Sequence, residues 1–107
     1  MIEKNNGIIK IYYDEEKNKL ASKYFIFNWK PEGEYKLYHI NGQSEAICNY
    51  RNDKKEGEEK FYYENGKLRL ISNYKNNKNE GEEKYYYENG QLDEICNYKN
   101  GIIEGEY

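Results

Sequence analysis

The stretch GEEKFYYENGKLRLISNYKNNKNE (57–80) is followed at once by GEEKYYYENGQLDEICNYKNGIIE (81–104). A 24-residue unit written twice in tandem limits the possible folds more than any single residue does. Gly33, Gly57, Gly81 and Gly105 stand 24 apart. The same step joins Asn41-Gly42 to Asn65-Gly66 and Asn89-Gly90, Tyr38 to Tyr62 and Tyr86, Ile47 to Ile71 and Ile95, and Tyr50 to Tyr74 and Tyr98. Columns that stay in phase over three units mark a repeat architecture, in which one supersecondary unit stacks on copies of itself. A fainter copy lies upstream. GIIKIYY (7–13) matches GEYKLYH (33–39) at the Gly, the Lys and the first Tyr, and NKL (18–20) takes the place of GKL (66–68). A single repeat domain over 1–107 is expected. It has a degenerate first repeat and cap at 7–32, full repeats at 33–56, 57–80 and 81–104, and the start of a further repeat at 105–107.

Each unit reads as a β-hairpin. Segments such as KYYY are rich in strand formers, and Asn-Gly is the strongest short hairpin signal, with both turn positions expected at positive φ. Asn52-Asp53, Asn76-Asn77 and Asn100-Gly101 fall between units and mark second turns. Gly, Asn and Tyr at these densities argue against helix. The expected fold is all-β: an open antiparallel meander of about eight strands built from 24-residue hairpins.

A two-residue loop at Asn89-Gly90 sets Tyr87 opposite Leu92, Tyr85 opposite Glu94 and Glu83 opposite Cys96. Because paired residues share a face, one face, the inner, then carries Tyr85, Tyr87, Leu92, Cys96 and Tyr98. Its equivalents are Phe61, Tyr63, Leu68, Leu70 and Tyr74, and Leu37, Ala46, Cys48 and Tyr50. The other face carries Lys84, Tyr86, Ile95 and Asn97, repeated as Lys60, Tyr62, Ile71 and Asn73, and as Lys36, Tyr38, Ile47 and Asn49. This outer ribbon of Tyr and Ile, edged by Lys and Asn, occurs three times. Across the second turns Gly57 is expected to face Cys48, Gly81 to face Ser72 and Gly105 to face Cys96, leaving a notch at each small pair.

Leu, Ile, Val and Phe make only 19 of 107 residues, a composition near the disordered class. Two features offset this: a net charge of only −3, and 14 Tyr, whose rings bury large area while the hydroxyl stays wet. Any core is therefore expected to be Tyr and Ile. The N-terminal MIEKNNGIIKIYYDEEK has no apolar run of signal length, which points to a cytoplasmic protein.

The assembled unit, G-x-x-K-x-Y-Y-x-N-G-x-L-x-x-I-x-N-Y-x-N-x-x-x-G, resembles the MORN repeat variant family, which includes bacterial antitoxin-like repeat proteins. The resemblance covers 33–107, is weaker over 7–23, and is absent at 24–32. It implies a curved, open antiparallel sheet with a binding role and no catalytic residues, so no enzyme activity is expected. His39 stands where other units have Tyr, and Ser44 where they have Leu.

Residue chemistry agrees. Cys48 and Cys96 lie two units apart in one column, roughly 20 Å at strand spacing, which excludes a bridge between them. His39 is expected to face Ser44, but no orienting acid or oxyanion donor accompanies them. The carboxylates of EGEE (56–59 and 80–83) read as solvated strand starts, and NDKKEGEE (52–59) lacks the spacing of a calcium loop. No metal, phosphate-loop or cofactor motif is present. The acidic total, with Glu around every repeated Lys, argues against nucleic acid, and no basic patch suits a membrane surface.

The segment KYFIFNWKPEG (23–33) holds Phe25, Phe27 and Trp29 and interrupts the repeat; it reads as a cap or an aromatic anchor. The expected function is a non-enzymatic protein-binding module. Within that class the reading is a small acidic inhibitor, of antitoxin or immunity type, that covers the site of a toxin or defence nuclease. The expected contacts are Lys36, Tyr38, Ile47, Lys60, Tyr62, Ile71, Lys84, Tyr86 and Ile95, with Phe27 and Trp29. The alternative is edge-to-edge self-assembly into a structural scaffold, since an open sheet leaves unpaired strand edges.

Overall fold

The computed structural model describes residues 6–104. They form one open, fully antiparallel sheet with no helix. Nine strands follow one another along the path: β1 (Gly7–Tyr12), β2 (Leu20–Phe27), β3 (Lys30–Tyr38), β4 (Ser44–Arg51), β6 (Gly57–Tyr62), β7 (Leu68–Lys75), β9 (Gly81–Tyr86), β10 (Leu92–Lys99) and β11 (Ile102–Glu104). Two short ribbons, β5 (Lys54–Lys55) and β8 (Lys78–Asn79), pair with β4 and β7 at the second turns. The molecule measures 48 × 32 × 13 Å, so it is a single layer. No helix of the described residues is long and apolar enough to cross a membrane.

The two kinds of corner exchange the roles the sequence suggested. Asn28-Trp29, Asn52-Asp53 and Asn76-Asn77 have φ of 51° and 68°, 52° and 66°, and 51° and 70°. These are the two-residue corners with both positions at positive φ. At Asn41-Gly42, Asn65-Gly66 and Asn89-Gly90 only the Gly has positive φ. There Gly90 N–H donates to Tyr87 O, and Tyr87 N–H donates to Gln91 O, each at 2.9 Å. The loop therefore has three residues, closed by a Gly in the left-handed region. The Asn side chain folds back and accepts from the N–H two residues on, at 2.9 Å in all three units.

One extra loop residue has a consequence along the strand. Tyr85 pairs with Glu94 and Glu83 with Cys96, as expected, but Leu92 pairs with Tyr86 rather than Tyr87, and the ladder bulges at Asp93. The same shift sets Leu68 against Tyr62 and Ser44 against Tyr38. His39 is consequently not opposite Ser44.

Segment 23–33 does not interrupt the repeat. Its Asn28-Trp29 corner is in phase with Asn52-Asp53 and Asn76-Asn77, and the meander runs through it without a break. Trp in a left-handed position, where Asn, Asp or Gly is usual, conceals that phase.

A second slip occurs after each second turn. Lys55 pairs with Tyr50, yet Lys60 pairs with Ile47, so β6 spends two more residues than β4 over that interval. The surplus is extruded around Gly57, whose φ is +82°. Gly57 and Gly81 pair with Tyr74 and Tyr98, and it is Glu59 and Glu83 that come beside the small residues. Gly105 lies outside the described residues.

The buried positions among the described residues follow from this. They are Ser22, Ile26, Ala46, Cys48, Glu59, Ser72, Glu83 and Cys96, whereas the tyrosines expected to form the core are at most half-buried. Small residues leave room for two carboxylates, so Glu59 and Glu83 are not solvated. Glu59 takes an ammonium, with Lys55 Nζ at 2.8 Å. Glu83 takes a phenol, with Tyr85 Oη at 2.7 Å, and the longer contacts of Asn79 Nδ2 at 3.4 Å and Cys96 Sγ at 3.7 Å.

Candidate functional site

The outer face carries the predicted contact residues in one unbroken cross-strand row. Lys36 pairs with Ile47, Ile47 with Lys60, Lys60 with Ile71, Ile71 with Lys84, and Lys84 with Ile95. The row crosses six strands, alternating a cationic and an aliphatic side chain. Beside it run Tyr38, Tyr62 and Tyr86. All nine residues are half-buried, held by their neighbours in the sheet yet open to a partner.

The bulges add residues to this ribbon that alternation alone misassigned. Leu68 and Leu92, placed on the inner face by the two-residue loop, stand across from Tyr62 and Tyr86. The available signal was the fixed spacing of Glu-Asn-Gly, which also fits a three-residue corner.

Each repeated Lys reaches the Glu two residues before it on the same face. Lys36 lies 3.5 Å from Glu34, Lys60 3.8 Å from Glu58, and Lys84 3.7 Å from Glu82. Exposed pairs at such distances contribute little to stability, at most about 1 kcal/mol. They do hold the ammonium groups in place and reduce the net field of the row.

Phe27 and Trp29 do not join this row. They lie at the β2–β3 corner, exposed, alongside Phe25 and Ile8.

The inner face is chemically quieter. Tyr24 and Tyr35 stack with centroids 4.4 Å apart, and Tyr50 tilts onto Tyr35 at 5.6 Å. Burial, and then the charge of Glu59, push the Cys48 thiol up to about 11. Burial and Glu83 push the Tyr98 phenol up to about 12. The Glu83 hydrogen bond and burial raise the Tyr85 phenol. At neutral pH these groups stay protonated, and neither thiol is poised as a nucleophile. Cys48 and Cys96 are both free, with three strands of the path between β4 and β10. His39, in the column of Tyr13 and Tyr63, does what those tyrosines do. Its Nε2 donates to the Tyr62 carbonyl at 2.8 Å, as Tyr13 Oη donates to Tyr38 O, and Tyr63 Oη to Tyr86 O at 2.6 Å.

The hairpin-by-hairpin period also has a counterpart among known families. The MORN repeat variant model matches residues 31–52, 55–76 and 79–100, more than half of the chain, and each match holds one hairpin with its Asn-Gly corner. The chain belongs to the MORN repeat variant family. A search of curated proteins finds no match. MORN repeats point to a repeat-built binding or scaffold module. The outer ribbon is the surface that three MORN hairpins of this chain present in common.

Proposed function

We propose that the chain is a non-enzymatic protein-binding module whose outer ribbon is the contact surface. The observation that carries this reading is the row Lys36–Ile47–Lys60–Ile71–Lys84–Ile95 with its three tyrosines, copied on one face of a sheet only 13 Å thick. Tyr side chains give large contact area at low cost in conformational entropy, and pre-ordered strands lower the cost of binding further. The finer reading is a small inhibitor of antitoxin or immunity type, its net charge of −3 steering it toward a basic site on a toxin or nuclease. Replacing Tyr62 and Tyr86 together by Ala tests the ribbon. Circular dichroism should stay unchanged, while partners captured from the source cell by the wild-type chain are lost. Retained capture by a folded double variant removes the ribbon from the contact.

A second reading, a self-associating scaffold, is favoured by β1. Its outer edge has no strand partner among the described residues, and it exposes Ile8 and Ile11. Light scattering over a concentration series separates the two readings, because a monomer at every concentration excludes the scaffold.

A further inference from the structure

The first hairpin departs from the other three at two adjacent positions. In the later hairpins one outer-face pair is Glu with Asn: Glu34 with Asn49, Glu58 with Asn73, Glu82 with Asn97. The equivalent pair in the first is Ile8 with Phe25. Two residues along, the later hairpins pair Lys with Ile, as in Lys36 with Ile47, Lys60 with Ile71 and Lys84 with Ile95. The first pairs Lys10 with Lys23, and Lys23 is in turn opposite Lys36. Polarity is inverted in both places: apolar where the repeat is polar, and cationic where it is aliphatic.

Neither change serves the sheet. Like charges directly across from each other are unfavourable, and the sheet forms three times over without them. Ile8 is 62% and Phe25 41% exposed, so they are not a packed substitute for Glu and Asn. Over this spot the surface is hollowed into a cavity of about 460 Å³, with Ile8 and Phe25 as apolar wall and Lys23 and Lys36 at its side. Gly33 lines it without a side chain. Of the carboxylates nearby, Glu34 is engaged with Lys36, and Glu32 accepts from Asn52 N–H at 3.2 Å. Among the described residues no carboxylate lies within ion-pair distance of Lys10 or Lys23. One apolar recess and one uncompensated cationic group beside it remain.

We propose that this recess binds a small apolar monocarboxylate, its chain or ring against Ile8 and Phe25 and its carboxylate on Lys23. The site goes beyond the protein-binding ribbon and uses none of the ribbon's tyrosines. The recess is of ordinary ligand-pocket size, and a single free ammonium matches a single negative charge.

The other hairpins supply the test variant, because they show which residues the sheet accepts. The full chain, isotope-labelled, is titrated with sodium decanoate below its micellar concentration and followed by NMR. Shifts should concentrate at Ile8, Lys23, Phe25 and Gly33, with a dissociation constant below about 1 mM. The reverted variant Ile8→Glu/Lys23→Ile/Phe25→Asn should keep the dispersed spectrum of the wild type and bind at least about tenfold more weakly, the ratio lost with the contacts of a couple of methylene groups. Should the triple variant not fold, the exposed single change Lys23→Glu carries the same expectation. Decylammonium binding as tightly as decanoate would overturn the proposal, as would shifts spread evenly over the later hairpins or unaltered decanoate binding in the variants. Sedimentation with anionic phosphatidylglycerol vesicles, in the absence of decanoate shifts, would also overturn it, in favour of a membrane surface.

Discussion

Two neighbouring repeats solve one electrostatic problem in two ways, and exchanging the solutions tests the account of the sheet's interior. Glu59 is stabilised by Lys55 Nζ at 2.8 Å, with Phe61 two residues further along β6. Glu83, its equivalent, has Asn79 where Lys55 stands and Tyr85 where Phe61 stands, and the Tyr85 phenol reaches it at 2.7 Å. Consider Lys55→Asn. The Glu59 side chain is 6% exposed, so its charge would lose its main donor in a place water barely enters. A hydrogen bond to a charged group contributes about 1.5–3 kcal/mol, and an uncompensated buried charge costs more. Lys55 is itself 27% exposed, which lets some solvent screen the pair. The expected loss is therefore about 1–2 kcal/mol, or roughly 5–15 °C in Tm for a domain near this size. Adding Phe61→Tyr supplies a phenol where Tyr85 has one and should recover at least half of that loss. Lys60→Asn, which breaks only the exposed 3.8 Å pair with Glu58, should cost about 0.5 kcal/mol or less. Thermal melts of the three variants beside the wild type decide. If Lys55→Asn costs no more than Lys60→Asn, or if Phe61→Tyr gives no recovery in the Lys55→Asn background, the buried carboxylate is not what these residues serve.

The remaining perturbations address pH and the first corner. The Cys48 thiol, at about 11, and the Tyr98 phenol, at about 12, are both held above their ordinary values of 9.0 and 10.0, so the folded state keeps protons that the unfolded chain releases. A raised pKa contributes stability that is whole below the unfolded value and lost as pH rises through the folded one. Urea midpoints should thus be flat from pH 7 to 8.5 and fall between about 9 and 12; Cys48→Ser, which copies Ser72 from the next repeat, should make the first part of the fall shallower, and a midpoint that rises over that range would contradict the assignment. Trp29 holds φ of 68° with its ring exposed, where the corresponding corner has Asn77. Trp29→Asn should leave Tm unchanged or raise it by a few degrees, as expected when a bulky residue leaves a left-handed position; a marked drop in Tm would show that the indole is a structural cap.

How far the sequence reveals this molecule depends on which part of the repeat is asked. The Lys36-to-Ile95 row follows directly from period and alternation, because mid-strand register survives an error of one residue at a corner when a bulge absorbs it. The corners do not follow. Asn-Gly suits both a two-residue loop and a three-residue loop with Gly at the end, and the structure uses the second, which moved Leu68 and Leu92 onto the ribbon. The burial of Glu59 and Glu83 was equally hidden. EGEE reads as solvated at a strand start; the hairpin register already sets Glu59 opposite Ser72, but only the two-residue slip at Gly57, which puts Lys60 against Ile47, brings Glu59 next to Cys48 as well. The recess near Phe25 was missed because 23–33 looked like a break in the repeat, although its corner keeps phase.

A sheet one layer thick has no opposing layer to bury its faces, so its stability must come from elsewhere. Along one edge, Tyr13, His39 and Tyr63 each donate to a backbone carbonyl of the following hairpin, and the amides of Asn41 and Asn65 reach the next corner. Along the other edge, Glu32, Glu56 and Glu80 each accept from a backbone N–H twenty residues on, at Asn52, Asn76 and Asn100. The first set joins each hairpin only to the next, the nearest-neighbour coupling that makes repeat proteins quasi-one-dimensional, and the second ties the start of a hairpin to the corner that leaves it. The burden of holding the fold therefore rests on the two edges and on the small-residue row of the inner face. The outer face carries almost none of it beyond the packing of Lys stems against Ile. That division explains how one hairpin can trade Glu and Asn for Ile and Phe without losing its register, and why the outer face is where side chains are free to differ for binding.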